Sequence, residues 1–178
     1  MQIRAGSLLI AHPAFAHREQ RNHVVYVTES TEVSTMGLTL NNVSKYDLKE
    51  VFENKGIEWY GPREIYLGGE YNKHALLMLH SDEWYSSNTI SVNNNLALSS
   101  DGVMIEKMEM GNTPDWYRLF TGCKGWEPDE LGYELKGRNP RWLLLPRPSI
   151  QLLVDTNHLH MWDRAVTECS QELFNEYF

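Results

Sequence analysis

The sequence predicts a mixed α and β fold with a β-sheet at its centre. Short runs of β-branched and large apolar residues recur along most of the chain, separated by Gly, Asn and Pro turn signals. Segments with apolar residues at helical spacing interrupt these runs, and the longest such segment ends the chain. Strands interspersed with helices are typical of a sheet that has helices packed on it.

The predicted strands are short and begin close to the N-terminus. Residues 8–11 are a wholly apolar run, and residues 23–28 are rich in β-branched side chains. The same criteria predict the remaining strands at residues 36–41, 65–67, 75–79, 89–92, 96–98, 116–120 and 142–145.

Helical spacing predicts an early helix and two short helices in the middle of the chain. Ser44 is a suitable N-cap, a helix over residues 46–52 follows it, and Gly56 is a suitable stop. A second helix over 101–110 places Met104 and Met108 on one face. A third begins near Pro128, where acidic residues favour a helix start, and directs Leu131 and Leu135 to the core.

The tail, residues 157–178, is the strongest helix prediction. Its apolar residues follow steps of three and four and predict a buried seam. That seam consists of Leu159, Trp162, Val166, Cys169 and Leu173. Leu173, Phe174, Tyr177 and Phe178 make the end more apolar than a free terminus requires, which favours docking on the domain or on a second subunit.

Length and charge set bounds on organisation and function. The 178 residues show no repeat or linker, so we expect one domain over residues 1–178. The 16 basic and 24 acidic residues give a net charge of −8, which repels phosphate and argues against broad coating of nucleic acid or anionic membrane. Two distant cysteines and no secretory or membrane-spanning segment predict a cytoplasmic protein.

Known catalytic and ligand motifs are absent from the sequence. It contains no Gly-x-Ser-x-Gly elbow, no His-Glu-x-x-His or paired Cys-x-x-Cys, and no phosphate-binding glycine loop. We therefore expect no catalytic residues, no metal and no cofactor, and a protein that is not an enzyme.

One basic segment surrounds Trp142. Its positive side chains are Lys136, Arg138, Arg141 and Arg147, and no acid lies among them. Arginines beside an aromatic ring can bind phosphate and stack on a base. The favoured interpretation is that these residues pair with the upstream acids Glu127, Asp129, Glu130 and Glu134.

Several short motifs, in order, resemble the YqgE/AlgH family. The glycine, apolar strand and proline of its opening match residues 6–13, its "GLvlN" segment matches residues 36–41, and its "GyaGWgpgQL" block matches residues 122–131. Leu67-Gly68-Gly69, Leu79-His80 and Trp162 complete the pattern up to about Cys169. The chain departs from the family at Gln20, Ser30, Glu70 and Glu130.

The resemblance implies a compact α/β domain with a mixed, partly barrel-like sheet, flanking helices and no established enzymatic activity. Some members are described as transcriptional regulators, which favours a regulatory domain that acts through protein or small-ligand contacts. Two alternatives stay open. One is an enzyme or ligand site built from Asn41, His80, Trp126 and Glu134, because strand ends and turns often present functional groups. The other is nucleic-acid binding through the basic segment.

Overall fold

The computed structural model describes residues 3–177 and contains ten strands and five α-helices in that range. The strands are β1 (Leu8–Ala11), β2 (Val24–Ser30), β3 (Thr35–Thr39), β4 (Val43–Asp47), β5 (Glu64–Leu67), β6 (Tyr71–Ser81), β7 (Ile90–Asn93), β8 (Leu96–Ser99), β9 (Tyr117–Trp126) and β10 (Trp142–Leu145). The helices are α1 (Leu48–Glu53), α2 (Gly102–Glu109), α3 (Glu130–Leu135), α4 (Ile150–Val154) and α5 (Met161–Tyr177).

The chain forms two compact units. The first comes from both ends of the chain, up to Asn42 and from Lys124 onward, and the second is the continuous segment Val43–Cys123. The first unit contains β1 to β3, the end of β9, β10 and helices α3 to α5. A single domain over residues 1–178 stays a prediction.

The first unit is built on an antiparallel sheet in the order β10-β1-β2-β3-β9. Leu8 lies opposite both Leu145 of β10 and Tyr26 of β2, and all three side chains are buried. Its apolar cluster consists of Leu9, Ala11, Val25, Val27, Trp126, Leu131 and Trp142. The two tryptophans and Leu131 place this core next to α3.

The second unit contains the parallel strand pair. Strand β6 pairs antiparallel with β9 and β8, β7 pairs with β8, and β5 runs parallel to β9. Helices α1 and α2 contribute Phe52, Met104 and Met108 to its buried apolar cluster. The predicted mixed α/β class, the mixed sheet and the C-terminal helix are confirmed, as is every predicted strand.

The predicted start of the first helix is wrong. Ser44 lies in β4, and the helix begins at Leu48 with Asp47 as its N-cap, whose Oδ1 accepts from the Lys49 backbone N–H at 3.0 Å. Strand β4 pairs with β5 through Val43 and Asp47. Strand pairing with β5 therefore overrides the local capping tendency of Ser44. Helix α4, which the sequence did not predict, has a serine cap of this kind at Ser149.

The seam predicted for the tail helix is also wrong in part. Leu159 lies before the helix and is 73% exposed, and Leu173 is 51% exposed. The buried line is Met161, Ala165 and Cys169, at steps of four. Small Ala165 lets the helix approach the sheet closely, so a narrow line suffices for packing. Phe178 lies outside the described residues.

Candidate functional site

Glu134 and Trp126, two of the predicted site residues, lie together in a largely buried polar cluster. Glu134 Oε2 accepts hydrogen bonds from the indole N–H of Trp126 at 2.8 Å and of Trp142 at 3.0 Å. The two indoles meet edge to face, with ring centroids 6.4 Å apart. Strands β9 and β10 supply the tryptophans and α3 supplies the carboxylate, so one acceptor satisfies two buried donors.

Arg141 completes this cluster. Its guanidinium donates to Glu134 Oε1 at 3.2 Å, and its backbone N–H donates to the Glu134 carbonyl at 2.8 Å. Arg141 therefore pairs with an upstream acid, as the favoured interpretation of the basic segment predicts. Lys136, Arg138 and Arg147 are exposed. Nucleic-acid binding through the four basic residues stays a prediction.

Lys124 belongs to the same cluster, although the sequence does not predict it as a site residue. The residue is only 6% exposed, and its Nζ lies 5.6 Å from the Trp126 ring centroid and 5.8 Å from that of Trp142. A cation over two indole faces is attracted by their π-electron density. Burial lowers the pKa of nearby His23, and the Lys124 charge lowers it further. The available signal was spacing, because Lys124 and Trp126 are two residues apart on one strand.

His80 lies in the second unit and is fully buried. Its Nδ1 lies 2.9 Å from the Ser81 carbonyl and must donate there, so its Nε2 accepts from Ser99 Oγ at 2.7 Å. Burial lowers the pKa of His80 and favours this neutral form. Ser99 and His80 have the atoms of a nucleophile and a base, but both residues are buried, Ser99 with 1% exposure.

The Ser99 hydroxyl continues into a chain of polar contacts. Thr89 Oγ1 lies 2.7 Å from Ser99 Oγ and 3.2 Å from Ser86 Oγ, and Ser86 donates to Asp101 Oδ2 at 2.6 Å. Asp101 is the N-cap of α2, because its Oδ1 accepts from the Met104 backbone N–H at 2.8 Å. This series of hydrogen bonds thus links β6 to the start of α2, which is a structural role for these groups.

Asn41 also makes structural contacts. Its Oδ1 accepts from the Val24 backbone N–H at 2.9 Å, and its Nδ2 donates to the Asn22 carbonyl at 2.7 Å. These bonds hold the turn before β2 against the end of β3. Of the four predicted site residues, the structure therefore brings together Trp126 and Glu134, whereas Asn41 and His80 bind other groups.

The end of α5 forms an exposed, partly apolar surface. All residues from Ser170 to Tyr177 are exposed, including Leu173 at 51%, Phe174 at 61% and Tyr177 at 80%. Along the helix lies an open depression lined by Val166, Thr167, Ser170, Gln171, Phe174 and Asn175. Burial raises the pKa of the Cys169 thiol, and the charges of Glu172 and Glu168 raise it further. This part of the helix is therefore both apolar and electronegative.

Two broader features concern membranes and metals. No helix in residues 3–177 combines the length and apolar character that crossing a membrane requires. Within the same range, no three His, Cys, Asp or Glu side chains are grouped so that they would hold a metal ion.

Known proteins are similar to this chain over three quarters of its length or more. A UPF0301 protein of Marinomonas is 31% identical over 140 residues, covering 76% of this chain and 73% of the relative. A UPF0301 protein of Methylococcus capsulatus is 28% identical over 165 residues, covering 91% and 89%. Both are similar to this chain over most of their own length.

Solved structures show the same architecture. The solution structure of the AlgH protein from Pseudomonas aeruginosa has a TM-score of 0.76 at 26% identity, covering 91% of this chain and 86% of that one. A Corynebacterium diphtheriae protein has a TM-score of 0.71 at 20% identity, covering 93% and 86%, and shares the fold. The AlgH-like family model matches residues 8–173, from the first residue of β1 into α5, and this chain therefore belongs to the AlgH-like family.

Proposed function

We propose that this protein is a non-enzymatic, regulatory interaction domain of the cytoplasm that binds another protein through the end of α5. One observation carries the proposal: every residue from Ser170 to Tyr177 is exposed, and Leu173, Phe174 and Tyr177 are among them. The regulatory part is supported by the resemblance to a family with members described as transcriptional regulators.

Exposing apolar side chains to water at the end of α5 is unfavourable, and a helix that only stabilised the fold would not need them there. Helix α5 is anchored by Met161, Ala165 and Cys169, all of which precede Ser170. The residues after Cys169 bury no side chain, so they add little packing energy. Grouped exposed apolar side chains with a polar surround are typical of protein-binding surfaces.

The hydrogen bonds that the polar side chains make within the fold support the non-enzymatic part of the proposal. Catalysis by a side chain requires a group that can approach the substrate. Both ring nitrogens of His80 are engaged, and the Glu134 carboxylate accepts three side-chain hydrogen bonds. The two strongest acid–base candidates are thus used to hold the fold together.

A photo-crosslinking experiment tests the proposal. The full chain is expressed in its native host with p-benzoylphenylalanine at position 177, and separately at position 133 as a matched control. Tyr177 and Tyr133 are both 80% exposed, and Tyr133 lies on α3, away from the α5 surface in sequence. We expect irradiation to produce a discrete protein adduct from position 177 and none of that size from position 133.

The outcomes separate clearly. An adduct that depends on the position of the probe identifies the partner by mass spectrometry and supports the proposal. Equal labelling from both positions, or no adduct from position 177 across growth conditions, contradicts a specific contact through α5.

A further inference from the structure

Resting on the proposed function, we infer that the end of α5 binds a basic amphipathic helix, by apolar contact along one side and by charge at its C-terminal end. Three observations lead to this partner: the spacing of the apolar residues, the excess of acids and the position of those acids in the helix.

The spacing suits a second helix. Val166, Leu173 and Tyr177 are separated by seven and four residues, so they lie along one side of α5. Ser170 lies between them and is small, and with Val166 and Phe174 it lines the depression beside this row of side chains. Side chains at such steps with gaps between them are what a packing helix needs.

The acidic excess at the end of α5 indicates that the partner carries positive charge. Residues 151–178 contain five acidic side chains and one basic, Arg164, and so carry half of the net charge of −8. Glu172 and Glu176 are exposed and four residues apart, where like charges repel. A basic partner relieves this repulsion on binding.

The position of the acids strengthens the argument. The last turn of α5 contains no basic residue, although the C-terminal end of a helix carries a partial negative charge. Glu176 therefore adds negative charge where a helix favours positive charge, and Glu172 adds to it from one turn earlier. A partner's lysines or arginines would offset both contributions.

A second copy of this chain fits less well. Two α5 helices packed in parallel along the same side would bring Glu172 and Glu176 of one copy near the same two residues of the other. Apolar contact alone would favour such a dimer, and the charge opposes it. The basic helix satisfies both features of the surface.

The test uses synthetic probes and the full-length protein. One labelled peptide of about 18 residues repeats Leu on one face and Lys on the other, and a second has Glu in place of Lys. Binding is followed by fluorescence anisotropy at about 50 and 300 mM NaCl. We expect the Lys peptide to bind at least about tenfold more tightly than the Glu peptide, and its advantage to shrink in the higher salt.

Variants identify the surface. Leu173→Ser with Tyr177→Ser should weaken Lys-peptide binding by about tenfold, because it removes apolar anchors. Glu172→Lys with Glu176→Lys should reverse the preference toward the Glu peptide. The control Tyr133→Ser should leave binding unchanged, and circular dichroism checks that every variant is folded.

Other results would overturn the inference. If Tyr133→Ser and the double serine variant lose binding equally, or neither loses it, the peptide binds by general attraction to an acidic protein. If sedimentation shows a dimer that the double serine variant dissociates, the occupant is a second copy, which overturns the basic helix but keeps the contact through the end of α5. Absence of an adduct from position 177 contradicts both proposals.

Discussion

Glu134 shows how one residue can decide whether a buried cluster is stable. Its side chain is 14% exposed and accepts from two indoles and Arg141. Without the carboxylate, the Trp126 and Trp142 N–H groups lose their acceptor in a buried setting. An unsatisfied buried donor costs about 1–3 kcal/mol.

We expect Glu134→Ala to lower the free energy of unfolding by about 2–4 kcal/mol, since it leaves two buried donors without an acceptor. Glu134→Gln should cost less, because its amide oxygen still accepts. Urea denaturation measures both, and exposed Glu172→Ala on α5 is the control. Equal stability of Glu134→Ala and the control would contradict the role assigned to this carboxylate.

His80 makes stability depend on pH in a defined direction. Burial lowers its pKa in the folded state below the ordinary value of 6.5, so the unfolded chain binds the proton more readily. The stabilisation that comes from neutral, buried His80 is therefore fully present above the pKa that His80 has in the unfolded chain, and it decreases as the pH falls below that value. Nearby Glu83 and Asp82, which favour protonation, oppose this effect without reversing it.

His80→Gln tests this dependence, because its amide can still bind Ser99 and does not titrate. From about pH 7.5 to 5.5, we expect the unfolding free energy of the wild type to fall more than that of the variant. Denaturant titrations at several pH values supply the comparison. Parallel pH profiles would show that another group dominates, and His23 is then the next to substitute, because its pKa is also lowered.

The backbone conformation of strand β9 requires a glycine at position 122. Gly122 has φ of +75°, and a methyl group added there would overlap the backbone carbonyl oxygen of Gly69. Gly56, which follows α1, has φ of +78° with open space around it. Gly132 lies inside α3, also with open space.

The same substitution should therefore have three results. Gly122→Ala should destabilise by about 3 kcal/mol or more, through strain and a backbone clash. Gly56→Ala should cost about 1 kcal/mol, through strain alone. Gly132→Ala should stabilise by about 0.5–1 kcal/mol, because alanine favours helix. Thermal or urea unfolding ranks the three, and any other order contradicts the local geometry.

Elements whose signal is local could be predicted from the sequence. The strand Leu8–Ala11 is apolar and buried throughout, Trp142–Leu145 is apolar with both ends buried, and the helix predicted over residues 101–110 is observed as α2 with Asp101 as its N-cap. Ser44 was misjudged because strand pairing with β5 is a distant contact. The sequence suggests Trp126 and Glu134 as site residues but not the hydrogen bond between them, and it does not indicate Lys124. Both features depend on how β9, β10 and α3 come together.

At the scale of the whole molecule, α5 divides into a part that folds the protein and a part that does not. Met161, Ala165 and Cys169 are buried, and Trp162 donates to the Ala11 carbonyl at 2.9 Å. Truncation after Cys169 should change the free energy of unfolding by no more than about 1 kcal/mol. Truncation before Met161 should abolish cooperative unfolding. A large loss from the shorter truncation would mean that the end of α5 is part of the core.

The origin of the first unit in both ends of the chain governs the order of events during synthesis. While a ribosome makes the protein from its N-terminus, β1 emerges long before β10, its neighbour at Leu145. The continuous segment Val43–Cys123 is synthesised in full before that neighbour. The edge of β1 at Leu8 and Leu9 that pairs with β10 therefore stays unpaired during this interval. A chaperone would be most useful to the nascent chain at that time.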